Sequence, residues 1–113
     1  MITIYHNPRC KKSRAGLHHL QEKGMAPKIK NYLKEGISVD ELKDLLMKLN
    51  KKPHDMIRFQ EADYKTKFKG KDFTDDEWIK IMVETPKLIK RPIVVRGYKA
   101  VWGDPPEEID ALL

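Results

Sequence analysis

The chain has a single cysteine, Cys10, among its 113 residues. An intramolecular disulfide is therefore impossible. This argues against a disulfide-stapled secreted domain and fits a reducing, cytoplasmic setting. Long apolar runs are missing as well. No stretch approaches the ~20 residues of a membrane span, and the opening Met1-Ile2-Thr3-Ile4-Tyr5 lacks the apolar core of a signal peptide. There is no internal repeat and no low-complexity segment, so one soluble domain over residues 1–113 is expected. What the chain has in quantity is charge. Charged residues make up 35% of it and the formal net charge is +6. A basic balance favours anionic partners, from nucleic acid to oxyanions and anionic thiols, without choosing among them.

Ile2–Tyr5 is short, β-branched and aromatic, as a buried strand requires. Pro8 breaks it. A helix is expected from near Cys10 to Lys23, with Leu17 and Leu20 on one face and Gly24 closing it. Lys28–Tyr32 alternates like a second strand, which completes a βαβ unit with parallel strands. The middle reads as helical. Ser38 and Glu41 form a capping-box pattern ahead of Leu42, Leu45, Leu46 and Leu49, an i, i+3, i+4, i+7 stripe. Pro53 opens a short helix through Arg58, residues 62–72 read as a loop, and Thr74 and Glu77 form a second box ahead of Trp78, Ile81 and Met82. The end turns to strands: Pro92–Val95, a turn at Gly97-Tyr98, and a return strand at Lys99–Trp102. Asp104 then reads as the N-cap of a last helix, with Pro105 in its first position. The order β-α-β … β-β-α is that of an α/β thioredoxin-like fold. It has a mixed four-stranded sheet, with a helical insertion at about residues 36–88 between the two halves.

The chemistry concentrates around Cys10. The thiolate is the nucleophilic form of cysteine, and a helix N-terminus or nearby cations lower the thiol pKa from about 8.5. Cys10 stands where the first free N–H groups of a helix would face its sulfur. Arg9, Lys11, Lys12 and Arg14 surround it, and His6 lies four residues back. The same features hold an oxyanion. A lone cysteine after a strand is more often a small buried hydrophobe, but an inert thiol gains nothing from four neighbouring cations. Ser13 either satisfies local backbone groups or hydrogen-bonds the thiolate or an oxyanion. His18 and His19 have no partners at metal-ligand spacing, so no metal site is expected, and Trp78 and Trp102 read as core aromatics. The lysines of 65–71 read as a solvated loop rather than a nucleic-acid surface.

The stretch "ITIYHNPRCKKSR" resembles the glutaredoxin-dependent arsenate reductase family, whose active site reads H-N-P-x-C-x-x-S-R. "FTDDEWIKIMVETPKLIKRPIVV", residues 73–95, is similar to the family's second signature, and the likeness covers essentially the whole chain. The resemblance implies Cys10 as nucleophile, with His6 and Ser13 tuning the thiolate and contacting the oxyanion. It implies Arg58 and Arg91 as oxyanion ligands and Pro92 as the cis proline beside the cysteine; Lys11, Lys12 and Arg14 are expected to join in substrate binding from their place around Cys10. No bound cofactor is implied. The resemblance implies glutathione as co-substrate and glutaredoxin as protein partner, in keeping with a chain that holds no resolving thiol of its own. At one position this chain departs from the family: Asp104 stands where the family carries a third arginine. Two alternative readings follow: a family member acting on another substrate, since Asp104 replaces that arginine, and one of the related Spx-type regulators, which bind RNA polymerase. They typically carry a C-x-x-C pair, whereas this chain has Cys10 and Ser13.

Overall fold

The computed structural model describes residues 1–113. Four strands make one sheet: β1 (Ile2–Tyr5), β2 (Lys28–Lys30), β3 (Ile93–Arg96) and β4 (Lys99–Trp102), in the order β2-β1-β3-β4. β1 pairs parallel with β2 and antiparallel with β3, and β3 pairs antiparallel with β4. This is the mixed, thioredoxin-like sheet expected from the strand order. The parallel pair is joined by α1 (Lys11–Glu22), the crossover that parallel strands require.

Alternation along the strands divides the apolar residues between two faces. Ile2, Ile4 and Val94 pack with Leu20 of α1 and with Ile109 and Leu112 near the C-terminus. Ile93 and Ala100 face the larger cluster built by the helical middle. That middle comprises α2 (Tyr32–Glu35), α3 (Val39–Leu49), a 3-10 turn at Pro53–Met56, α4 (Ala62–Lys67), α5 (Asp75–Glu84) and a 3-10 turn at Pro86–Leu88. All four leucines of the α3 stripe are buried, each stabilising the fold by about 1.5–3 kcal/mol relative to exposure. No helix is long and apolar enough to cross a membrane.

Several boundaries differ from the sequence expectation. β2 stops at Lys30, because the Asn31 side chain accepts from Lys34 N–H and starts α2. Residues 62–67 are helical rather than loop. The anchors are Tyr64 and Phe68, spaced i, i+4. Both lie against Trp78, at ring-centroid distances of 6.4 and 6.3 Å, and the intervening lysines hide this pair from a pattern search. The Thr74–Glu77 box is complete. At Ser38 only half of the box forms: the hydroxyl accepts from Glu41 N–H, while the Glu41 carboxylate turns away to Tyr5 and Lys30. Asp104 does not cap the last helix. That element is a 3-10 helix at Pro106–Leu112 with Pro105 at its N-cap. The Asp104–Pro105 bond is cis, and the Asp104 carboxylate reaches Lys12 instead.

Candidate active site

Cys10 sits at the junction of two backbone devices. The carbonyl of Asn7 accepts from Cys10 N–H at 3.0 Å, closing the turn after β1. The carbonyl of Cys10 accepts from Arg14 N–H at 3.0 Å, the first bond of α1. Cys10 is thus the N-cap residue of α1, in extended conformation and partly exposed, and its side chain makes no cap hydrogen bond. Below this turn, Ser13 and His6 are buried. The Ser13 hydroxyl accepts from Asn7 N–H at 2.9 Å and lies 2.7 Å from His6 Nδ1. The pair therefore braces the loop that presents Cys10, and no hydrogen bond joins His6 to the sulfur. Burial holds the His6 pKa below its ordinary value, so the ring is neutral at neutral pH.

The opposite wall comes from a distant part of the chain. Ile57 and Ile89 form an antiparallel bridge. Arg58 N–H donates to Leu88 O at 2.7 Å, and Lys90 N–H donates to Met56 O at 2.9 Å. This short ladder sets Arg58 beside Lys90 and Arg91. A pocket of about 120 Å³ results, lined by Cys10, Lys12, Arg58, Gln60, Lys90, Arg91 and Trp102. It is smaller than the several hundred Å³ usual for drug-sized ligands, and its walls carry four cationic side chains, those of Lys12, Arg58, Lys90 and Arg91.

Arg91 is the least exposed of these cations, at 8%. One terminal nitrogen donates to Lys87 O at 2.9 Å, and its buried Nε has no hydrogen-bond partner. A buried donor without a partner costs about 1–3 kcal/mol. Arg58 is paired with Glu61. Burial alone would push the Cys10 thiol pKa up. The Arg91 guanidinium, then the N–H groups of Ser13 and Lys12 at the helix start, outweigh it and hold the thiol below its ordinary value. Behind the pocket Tyr32 is almost fully buried, and burial pushes its hydroxyl up to about 12.

The structure thus brings Cys10, Lys12, Arg58 and Arg91 together. Lys11 and Arg14 lie outside the pocket: Lys11 is exposed, and Arg14 donates to Pro8 O at 3.0 Å. The Arg91–Pro92 bond is cis, as the resemblance implied. Trp102 packs against the larger hydrophobic cluster, as expected, but also lines the pocket. It is half-buried at the pocket wall, with its indole N–H donating to Arg91 O at 3.3 Å and Lys90 Nζ lying 4.7 Å from its ring centre. Sequence reasoning missed Gln60, Lys90 and this placement of Trp102. The available signals were adjacency to Arg91 for Lys90 and the turn after Arg58 for Gln60. His18 and His19 pair with Glu22 and Asp110.

The ArsC family model matches residues 5–112. An arsenate reductase of Haemophilus influenzae is 40% identical over 114 residues, covering 99% of this chain and 98% of the relative. An uncharacterized protein of Escherichia coli, YfgD, is 39% identical over 110 residues, covering 96% and 92%. The solved structure of an arsenate reductase from Vibrio cholerae superimposes with a TM-score of 0.94 at 42% identity, covering 99% of this chain and 97% of that one.

Proposed function

The chain belongs to the ArsC family, and from that premise we propose that it is a thiol-dependent oxidoreductase reducing an arsenate-type oxyanion, with Cys10 as its single nucleophile. The observation that carries the reading is Arg91, which lines a pocket of about 120 Å³ together with Cys10 and keeps a buried Nε without a hydrogen-bond partner. It marks a place prepared for an anion next to a thiol whose pKa is held down. The arsenate reductase names of close relatives point the same way.

The proposed steps follow from the residues. The Cys10 thiolate attacks arsenic(V) and displaces one oxygen, which leaves as water after protonation. Arg91, Arg58 and Lys12 hold the remaining oxygens and stabilise the added charge. A glutathione thiolate then attacks the Cys10 sulfur. The S–As bonding pair passes to arsenic, arsenic(III) leaves as arsenite, and a Cys10–glutathione disulfide remains. Glutaredoxin attacks the glutathione sulfur and releases the Cys10 thiolate. An external donor is chemically required, because the chain holds no second cysteine. Position 13, where a redox pair would keep its partner, is a buried serine bonded to the loop it braces. An Spx-type switch based on an internal disulfide therefore has no second thiol.

Arsenite release from arsenate in the presence of glutathione and glutaredoxin is the direct assay. Turnover that vanishes in Cys10→Ser is expected. Turnover retained in Cys10→Ser would remove the cysteine from the chemistry. No reduction by the intact chain, together with capture of RNA polymerase, would favour the regulator instead.

A further inference from the structure

The Cys10 pocket opens beside a second, larger cavity of about 410 Å³. The two share Lys90 and Trp102 as walls. The ion pair between Lys12 of the first and Asp104 of the second, 3.0 Å long, ties them again. The larger cavity lies within the size range of small-molecule sites. Its floor includes the buried side chains of Met56 and Ala100, while Lys51, Lys90, Asp55, Asp104 and Glu108 bring charges of both signs to its walls.

Asp55 accepts from Lys52 N–H at 3.0 Å and Lys90 lies over the Trp102 ring, yet no opposite charge neutralises either. Lys51, Lys90, Asp55 and Glu108 form no ion pair, with one another or with anything else in the fold. A polyanion such as a nucleotide would meet three carboxylates. A purely apolar ligand would leave the cations and carboxylates of the wall without partners and strip them of water. A zwitterion with separated carboxylate and ammonium groups satisfies both sets. Because the cavity adjoins Cys10, such a ligand gains most if it carries sulfur.

We propose that this cavity seats the body of a short zwitterionic thiol peptide, with Lys51 and Lys90 on its carboxylates and Asp55 and Glu108 facing its ammonium group, so that its sulfur is delivered to Cys10 past Trp102. The proposal rests on the thiol-dependent reading above and deepens it by naming where the co-substrate binds. The exchange it positions is balanced without any further reagent. The Cys10 thiolate attacks one sulfur of the peptide's symmetric disulfide, a new S–S bond forms to Cys10, and the other half leaves as a thiolate that takes up a proton.

The test uses the intact chain and no oxyanion, so its outcome is separate from arsenate turnover. Formation of the Cys10 adduct is followed by mass against concentration, once with oxidised glutathione and once with uncharged hydroxyethyl disulfide. The rate is expected to saturate with oxidised glutathione and to rise linearly with hydroxyethyl disulfide. Lys51→Ala and Glu108→Gln, both at exposed positions, should lower the glutathione-to-hydroxyethyl rate ratio at low concentration by about three- to fivefold each, the range of a partly exposed charge contact. A linear rate with oxidised glutathione, or an unchanged ratio in both variants, overturns the proposal while leaving the thiol chemistry of Cys10 standing. Absence of any Cys10 adduct with either disulfide overturns the thiol-dependent reading as well.

Discussion

Lys12 Nζ lies 3.0 Å from the Asp104 carboxylate, with the lysine side chain 58% exposed and the aspartate 24%. The pair ties up one of the four cations of the Cys10 pocket. Asp104 therefore acts on the site through Lys12 and not as a helix cap.

Asp104→Asn should release Lys12 toward the pocket. A partly exposed ion pair is worth up to about 1 kcal/mol, equivalent to about fivefold in affinity. Arsenate or sulfate should then protect Cys10 against alkylation at concentrations lower by up to that factor, with stability changed by less than about 1 kcal/mol. Alkylation rates across an anion titration give the affinity, and a thermal melt gives the stability. Unchanged protection would show that Lys12 does not contribute to anion binding.

The pH dependence of Cys10 alkylation should show a midpoint below that of free cysteine. Burial opposes thiolate formation and the Arg91 guanidinium is the leading group that favours it. Arg91→Gln removes the favourable part and keeps the burial, so the midpoint should move upward. A midpoint that stays in place would assign the effect to the α1 N-terminus alone.

Gly16→Ala tests the seat of α1. A Cβ at residue 16 would stand 2.7 Å from Pro92 Cγ and 3.6 Å from Ile109 Cδ1. Alanine normally gains about 1 kcal/mol over glycine inside a helix, whereas overpacking against a rigid ring costs about 1–3 kcal/mol. The clash should win, with a net loss of up to about 2 kcal/mol in denaturant unfolding. An increase in stability would mean that α1 shifts freely against Pro92.

Glu41 joins α3 to the sheet through Tyr5 Oη at 2.7 Å and Lys30 Nζ at 2.5 Å. Burial raises its carboxyl pKa, but Lys30 and Tyr5 outweigh burial and hold it below the usual range. A carboxyl so lowered stabilises the fold above its unfolded pKa of about 4.3 and loses that contribution as pH falls through the lower folded value. Glu41→Gln should cost about 1–2 kcal/mol at neutral pH. The gap to the unaltered protein should close in acid. A gap independent of pH would mean that the carboxylate's charge plays no part.

Most of the frame was legible in sequence. Strand alternation, the leucine stripe of α3 and the Thr74 box act within a few residues and leave a periodic trace. The place of Cys10 at the start of α1 was legible because its helix start and cations are contiguous with it. Less legible was everything that depends on who faces whom. Lys11 and Lys12 are neighbours in sequence, yet only Lys12 enters the pocket. Asp104 carries every local sign of a cap, but its carboxylate is taken by the tertiary contact with Lys12. Trp102 looks like any strand aromatic until the Lys90–Arg91 segment is set against it by the Ile57–Ile89 bridge.

The pairing of β1 with β3 places Tyr5 opposite Ile93, one residue past Pro92. The two walls of the site are therefore joined across a ladder whose halves lie at opposite ends of the chain. During synthesis Cys10 is made long before Arg91. Non-local pairing of this kind waits for loop closure and forms late. Until β3 docks, the sulfur lacks the guanidinium that lowers its pKa and remains close to an ordinary, mostly protonated thiol. The lowered thiol pKa thus depends on the β1–β3 pairing, and a chain that still lacks Arg91 is less open to thiolate oxidation.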